Sequence, residues 1–292
     1  MGLTIVAEIE RFVRECPDNR LPELGGPYFD APLVGFASAA DPLFDDYHRI
    51  IGEFHRTPQE AMADALGAGV RAATVICWVL PISREARRSN RRESRLPSRA
   101  WAETRAYGER GVNVALRKHL VGFLEARGHR AMAPLLAPGW KELATSPVGP
   151  ASTWSERHAA FAAGLGTFSL NDSLITARGT AHRLGSVVTD LAVPPTPRPY
   201  AGHRDYCLHA RGVACGVCAG RCPVQAVTLD GHDKVRCREL VYGAGAEQVK
   251  AAFGVPLPSC GLCQTKVPCE DRIPPMPRRA AGRQGGVPPA ID

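Results

Sequence analysis

The stretch "CLHARGVACGVCAGRCP", residues 207–223, places four cysteines within seventeen residues. Eight of the ten cysteines in the 292-residue chain fall between Cys207 and Cys269. The other two stand apart. Cys77 lies in "TVICWVLP", a β-branched run ended by proline that reads as a buried strand, where a thiol behaves as a small apolar group. Cys16, in "RECPDNR", has no partner nearby in sequence, and both read as inert.

Whether the eight late thiols are staples or ligands depends on the compartment. The N-terminus, "MGLTIVAEIERFVREC", meets acidic and basic residues by position 11, so it lacks the apolar region of a secretory signal and reads as an amphipathic helix. The longest apolar run, "AATVICWVL" (72–80), falls well short of the roughly 20 residues of a spanning helix. We therefore expect a cytoplasmic protein without a membrane segment, where clustered thiols bind metal or do redox chemistry rather than cross-link. A composition with 45% hydrophobic and 22% charged residues excludes a disordered or fibrous chain.

The spacing narrows the choice further. "CGVCAGRCP" is C-x2-C-x3-C-P, the back half of the bacterial ferredoxin run, in which the last cysteine, before proline, ligates the other cluster. The second group, Cys237, Cys260, Cys263 and Cys269, follows a looser version of the same grammar. Two clusters that trade ligands need eight thiolates, and eight are present. We assign Cys207, Cys215, Cys218 and Cys269 to one [4Fe-4S] cube, and Cys222, Cys237, Cys260 and Cys263 to the other. Gly216, Ala219 and Gly220 let backbone amides approach the sulfurs, while Val217, Val224, Ala226 and Val227 exclude water.

Tetrahedral zinc suits paired C-x2-C units but not the C-x3-C-P end, and a disulfide framework is the third alternative. Two departures from the compact ferredoxin pattern are the seven residues between Cys207 and Cys215 and the five between Cys263 and Cys269. His203, His209 and His232 lie nearby and read as surface histidines, because the thiol count is complete without them. Charge agrees: from a formal +7, eight thiolates remove eight charges and two oxidised cubes restore four, leaving about +3. The basic excess is in part a counterweight to the clusters.

Upstream the texture changes. "APLVGFASA" (31–39), "AATVICWVL" (72–80), "SLITARG" (173–179) and "GSVVTDLAV" (185–193) read as strands. "TPQEAMADAL" (57–66) reads as a helix with Thr57 as N-cap and Pro58 at its first position, and residues 100–128 carry a helical apolar period ending at Gly128. We expect an α+β fold: an α/β-like layered domain over 1–196, then a ferredoxin-like two-cluster domain over 197–275. "PPTPRP" (194–199) reads as a stiff extended hinge, and the Pro-, Gly- and Arg-rich tail, 276–292, as disordered.

The stretch "AAGLGTFSLNDSLITARGTAHRLGSVVTDLAVPPTPRP" (162–199), followed by the eight cysteines, resembles epoxyqueuosine reductases and their relatives. In them a similar Gly-Leu-Gly segment, a strand and a "TDL-x-x-PP" exit precede a two-cluster domain. The resemblance implies a cobalamin held base-off between the two domains, reduced by a nearby cube and acting on an epoxide in a tRNA wobble nucleoside. Reductive dehalogenases use related parts on carbon-halogen bonds. It also implies an electron donor such as flavodoxin or ferredoxin, and tRNA as a partner.

Gly164, Gly166, Gly179 and Gly185 fall at turns near strand ends, where backbone can approach a flat cofactor. The family's proton-donating aspartate would fall at Pro150, so Glu156 or His158 is expected to take its place. As parts of a plain helix, Glu156 would face solvent and His158 a neighbour. The run "SREARRSNRRESRLPSR" (83–99), with seven arginines against two glutamates, reads as a phosphate grip, an acidic redox-partner site or a solvated face. The alternative to an enzyme is an electron-transfer protein without its own substrate, although a domain of nearly 200 residues exceeds what a carrier needs. A flavin in place of the corrinoid fits the sequence as well.

Overall fold

A computed structural model describes residues 1–256 and 258–276, so the tail expected to be disordered lies, apart from Met276, outside the described residues. The chain opens with α1 (Gly2–Glu15), the amphipathic helix expected, whose Ile5, Ile9 and Val13 are buried at helical spacing. It continues through β1 (Leu33–Ser38), α2 (Leu43–Ile50), α3 (Pro58–Leu66) and β2 (Thr74–Pro81). Thr57 caps α3 in a reciprocal box with Glu60, with Pro58 at the first helical position. Next come α4 (Arg84–Asn90), α5 (Arg99–Glu103), a ten-residue π-helical segment (Thr104–Asn113) and α6 (Val114–Glu125).

The chain then forms β3 (Ala131–Met132), β4 (Glu142–Leu143), β5 (Ala151–Ser152), α7 (Glu156–Ala162), β6 (Gly166–Phe168), β7 (Leu174–Thr176) and β8 (His182–Thr189). Three α-helices follow, α8 (Val217–Gly220), α9 (Lys234–Tyr242) and α10 (Ala244–Phe253), and then a single 3-10 turn at Leu262–Gln264.

The main sheet has the order β1-β2-β8-β3, and every pair in it is antiparallel. This corrects the α/β-like expectation, because a single crossover helix would have returned a parallel strand. Here α2 and α3 run out and back between β1 and β2, so the chain re-enters the sheet from the end that it left. The architecture is α+β.

All eight residues of β2 are buried, and its side chains alternate between two cores. Ile76, Trp78 and Leu80 point to the layer of α1 and α6, and Val75, Cys77 and Val79 to that of α2, α3 and α7. Cys77 is an inert core residue, as expected. Strand β8 begins three residues earlier than its sequence signal, at the polar His182 and Arg183.

The long helix expected over 100–128 is interrupted by the π segment. The interruption places Gly108 against the ring of Phe29, where an added Cβ would lie 2.8 Å from Cζ. The 194–199 linker is extended, but it is fastened rather than loose. Phe36 and Thr196 exchange two hydrogen bonds, Phe36 N–H to Thr196 Oγ1 and Thr196 N–H to Phe36 O, each 2.9 Å long. Arg198 pairs with Asp41, and Tyr200 Oη donates to Phe161 O at 2.6 Å.

Leu120 of α6 is fully enclosed beneath the sheet. Leu120→Ala should cost about 3 kcal/mol through lost burial and an unfilled cavity, read as a fall of several degrees in the thermal unfolding midpoint.

Candidate redox site

The eight late thiols come together in two overlapping neighbourhoods. Cys218 and Cys269 sit close to each other and to Cys207 and Cys215. Cys260 and Cys263 sit with Cys237 and Cys222, and Cys263 also reaches toward Cys218. Cys207, Cys218 and Cys269 of the first and Cys222 and Cys263 of the second pack in one cluster with Leu170, Ile175 and Val227. Burial pushes the Cys218 and Cys260 thiols up to about 11 and that of Cys269 to about 12, with neighbouring sulfurs adding to the rise.

Thiols in such surroundings ionise only beside a compensating cation. None of the ten cysteines forms a disulfide. Among the described residues no three His, Cys, Asp or Glu side chains converge tightly enough to hold one ion. A four-iron cube is a larger object, and it gives each thiolate an iron of its own. The backbone N–H of Ala226 already donates to Cys222 Sγ at 3.1 Å, the kind of contact that tunes a cluster.

The loops that carry these thiols are bound to the sheet domain. Thr180 N–H donates to Cys269 O at 2.8 Å, and Asn171 Nδ2 donates to Cys263 O at 2.8 Å. Gly179, at φ +76°, lies so close to this junction that an added Cβ would stand 2.3 Å from both Asp271 N and Glu270 O. Gly261, between Cys260 and Cys263, has φ +59° and rests on the Trp101 indole.

The second neighbourhood faces a cavity of about 400 Å³, bordered by Cys222, Cys237, Cys260 and Cys263. Its far wall comes from the π segment, α6, α7 and the start of β8. Three arginines there, Arg105, Arg157 and Arg183, pair with no carboxylate among the described residues. Arg183 donates only to hydroxyls, at 2.6 Å to Ser259 and 3.3 Å to Thr104, and its Nε is buried without a partner. Burial, with Arg105 alongside, draws its pKa down to about 10, the mark of a cation lacking its anion.

Beside them Arg117, fully buried, lies between Glu109 at 3.0 Å and Glu156 at 3.2 Å. Asn113 Nδ2 holds the other oxygen of Glu109 at 2.7 Å.

Arg157 also borders a second cavity, of about 660 Å³, on the opposite side of α7. Its floor is apolar, with Ile51, Phe161 and Phe168, and its rim carries Arg157, Arg204 and Lys234. His158 faces this cavity, its Nδ1 2.8 Å from Ser155 Oγ and its ring 4.9 Å from that of Phe168. Asp172, at φ +59°, lines it too and contacts His232 at 3.1 Å. Burial opposes the charge on His232, but the Asp172 carboxylate and the Cys237 thiol outweigh it and lift the imidazole to about 9.

Several expectations change here. Glu156 does not face solvent: its side chain is 13% exposed, because the buried Arg117 draws it inward. His158 packs against neighbours as expected, on Tyr47 and Phe168. The two side chains open on different cavities, as their spacing of two on a helix requires.

The four glycines expected at a cofactor meet protein instead. An added Cβ would stand 2.7 Å from Pro197 O at Gly164, 2.3 Å from Ile175 O at Gly166 and 2.4 Å from the Trp78 ring at Gly185, while Gly179 abuts residues 270–271. None of the four lines either cavity. His232 is not a surface residue, since its side chain is 12% exposed and bound to Asp172. Arg105, Glu109, Arg117, Arg157, Arg183 and Lys234 were not singled out by the sequence reading.

No family model and no curated protein matches the sequence. Solved structures do resemble it. The crystal structure of epoxyqueuosine reductase with a tRNA-Tyr epoxyqueuosine-modified tRNA stem loop is 17% identical over 92% of this chain and 65% of that one, with a TM-score of 0.50. A catabolic reductive dehalogenase in complex with 3-bromo-4-hydroxybenzoic acid is 15% identical over 92% of this chain and 36% of that one, at 0.52. The chain has the epoxyqueuosine reductase fold. A reductive dehalogenase structure bearing on B12-dependent dehalogenation shares it, at 15% identity, 90% and 36% coverage and 0.50. This chain thus spans 65% of the length of that epoxyqueuosine reductase and 36% of each dehalogenase. No helix among the described residues is long and apolar enough to cross a membrane.

Within this epoxyqueuosine reductase fold, burial drives the pKa of His55 and His182 down to about 4 and that of His158 to about 3. The folded protein keeps them neutral where the unfolded chain, with ordinary values near 6.5, takes up protons. The stability contributed by these three neutral imidazoles is therefore full above about 6.5 and is lost as pH falls toward 4, at up to about 1.4 kcal/mol per pH unit for each. His182→Gln preserves a donor for Leu174 O, which lies 2.9 Å from Nε2. That variant should show a shallower fall in unfolding temperature between about pH 6.5 and 5 than the parent.

Proposed function

We propose that the chain is an iron-sulfur oxidoreductase whose ferredoxin-like module (197–275) holds two [4Fe-4S] cubes. In this reading a corrinoid rests against the sheet domain (1–196), and the reaction reduces an epoxide or similar bond in a tRNA nucleoside. One observation carries it: four thiols line one wall of a cavity whose other wall presents three arginines without carboxylate partners. A cube on four thiolates has a net charge of about −2, so each side supplies what the other lacks. Zinc on the same thiolates would also be anionic, but the C-x3-C-P spacing and the two neighbourhoods favour cubes.

We assign the corrin ring to the larger of the two cavities. Its apolar floor suits the macrocycle, and Arg157, Arg204 and Lys234 suit the phosphate of its nucleotide tail. A bound corrinoid supplies low-valent cobalt for a two-electron reduction. Arg157, common to both cavities, would contact the corrinoid from one side and the thiolate-bound cube from the other. With Ser155 donating to its Nδ1, His158 would carry its proton on Nε2 and could offer it as a hydrogen bond to the oxygen leaving the substrate. Glu156 holds Arg117 in place and is a positioning residue.

Epoxide reduction to an alkene consumes two electrons and two protons and releases water. A flavodoxin- or ferredoxin-type donor supplies the electrons, and the tRNA stem loop in the neighbouring structure supports tRNA as the substrate carrier.

Protein purified without oxygen should contain iron and acid-labile sulfide and no stoichiometric zinc. Cys207→Ala and Cys263→Ala should each remove about half of the iron. Lys234→Ala should weaken hydroxocobalamin retention about tenfold with iron unchanged, and His158→Phe should slow turnover more than His158→Gln. Zinc-loaded or disulfide-linked protein would overturn the reading.

A further inference from the structure

The arginine-rich run, 83–99, has a job that the proposed site does not absorb. Helix α4 buries Ala86 and Asn90 on one face. Arg87 and Arg91 turn to the residues after Cys269, pairing with Asp271 at 3.5 Å and with Glu270 at 2.7 Å. Arg99 pairs with Glu23 and Glu103. The remaining four, Arg84, Arg88, Arg92 and Arg95, are exposed and form no ion pair among the described residues.

The segment bearing them is rigidly mounted on the thiol loops. Asn90 Nδ2 donates to Thr265 Oγ1 at 3.1 Å and to Cys260 O at 3.4 Å, while its Oδ1 accepts from Ser98 N at 2.9 Å. Arg221, next to Cys222, donates to Glu93 O at 2.7 Å and Asn90 O at 3.2 Å. It also donates to Thr265 O at 3.1 Å and Leu262 O at 3.2 Å. One guanidinium thus binds the arginine segment to the backbone between Cys260 and Cys269.

We propose that this segment is the docking surface for a small acidic electron-carrier protein, which delivers single electrons to the cubes through the face that its arginines cover. This rests on the iron-sulfur reading above. Four unpaired arginines on a fixed support attract carboxylates from a distance and hold them with planar forks. Protein is favoured over RNA by position. An RNA substrate must bring its reacting bond to a cavity mouth, and no residue of the segment lines either cavity. In each encounter one electron leaves the reduced carrier and enters an oxidised cube, and no bond or proton moves.

The test uses oxygen-free holoprotein and its Arg88→Glu/Arg92→Glu/Arg95→Glu variant, with reduced flavodoxin as the probe in stopped flow. At low ionic strength the variant's second-order rate of cluster reduction should fall about tenfold or more, and salt should close the gap. Equal iron content and equal reduction by dithionite show that fold and cubes are intact. Equal, salt-independent flavodoxin rates on intact cubes overturn this proposal alone. So does a variant that loses affinity for a tRNA stem loop while its flavodoxin rate is unchanged. Parent protein without cubes overturns the proposal together with the reading beneath it.

Discussion

Charge enclosed away from water governs this molecule. Burial discourages Cys218, Cys260, Cys263 and Cys269 from ionising, and Cys260 and Cys263 share a cavity with Arg157 and Arg183, which burial discourages from staying charged. Arg183 shows the tension most plainly, with a guanidinium bound only to hydroxyls and a depressed pKa. A buried cation without an anion costs several kcal/mol. In the proposed iron-sulfur reading, the arginine wall of the thiol cavity is one half of an electrostatic pair whose other half is inorganic.

The rest of the fold serves to hold that pair in register. The fully buried β2 carries a core on each face, and β8 beside it begins with His182 and Arg183, so the sheet itself delivers two cavity residues. The loops of the second cysteine group are held by Thr180, Asn171, Asn90 and Arg221, each bonded to main-chain oxygens. Thr180, Asn171 and Asn90 thereby tie these loops to the part of the chain that precedes them.

Legibility in the sequence tracked how local each signal was. The capping box at Thr57 and the nine-residue period of α3 depend on neighbours in sequence, and they read correctly. That the eight late thiols share one region was legible because their spacing is a local signal in the sequence. The antiparallel sheet was not, because strand direction depends on whether one helix or two intervene. Glu109, Asn113 and Arg117 offered an overlooked signal: polar residues four apart along one helical face, within an otherwise apolar period. The glycines misled because close approach looks the same in sequence whether the neighbour is a cofactor or, as at Gly185, an indole.

The linker has a mechanical consequence. Thr196, Arg198 and Tyr200 stitch it to β1, Asp41 and α7, so it acts as a splint and not as a swivel. On the proposed redox reading, the gap that an electron crosses is then fixed by architecture, and any regulation of its passage falls to what arrives from outside instead of to an opening and closing of the protein.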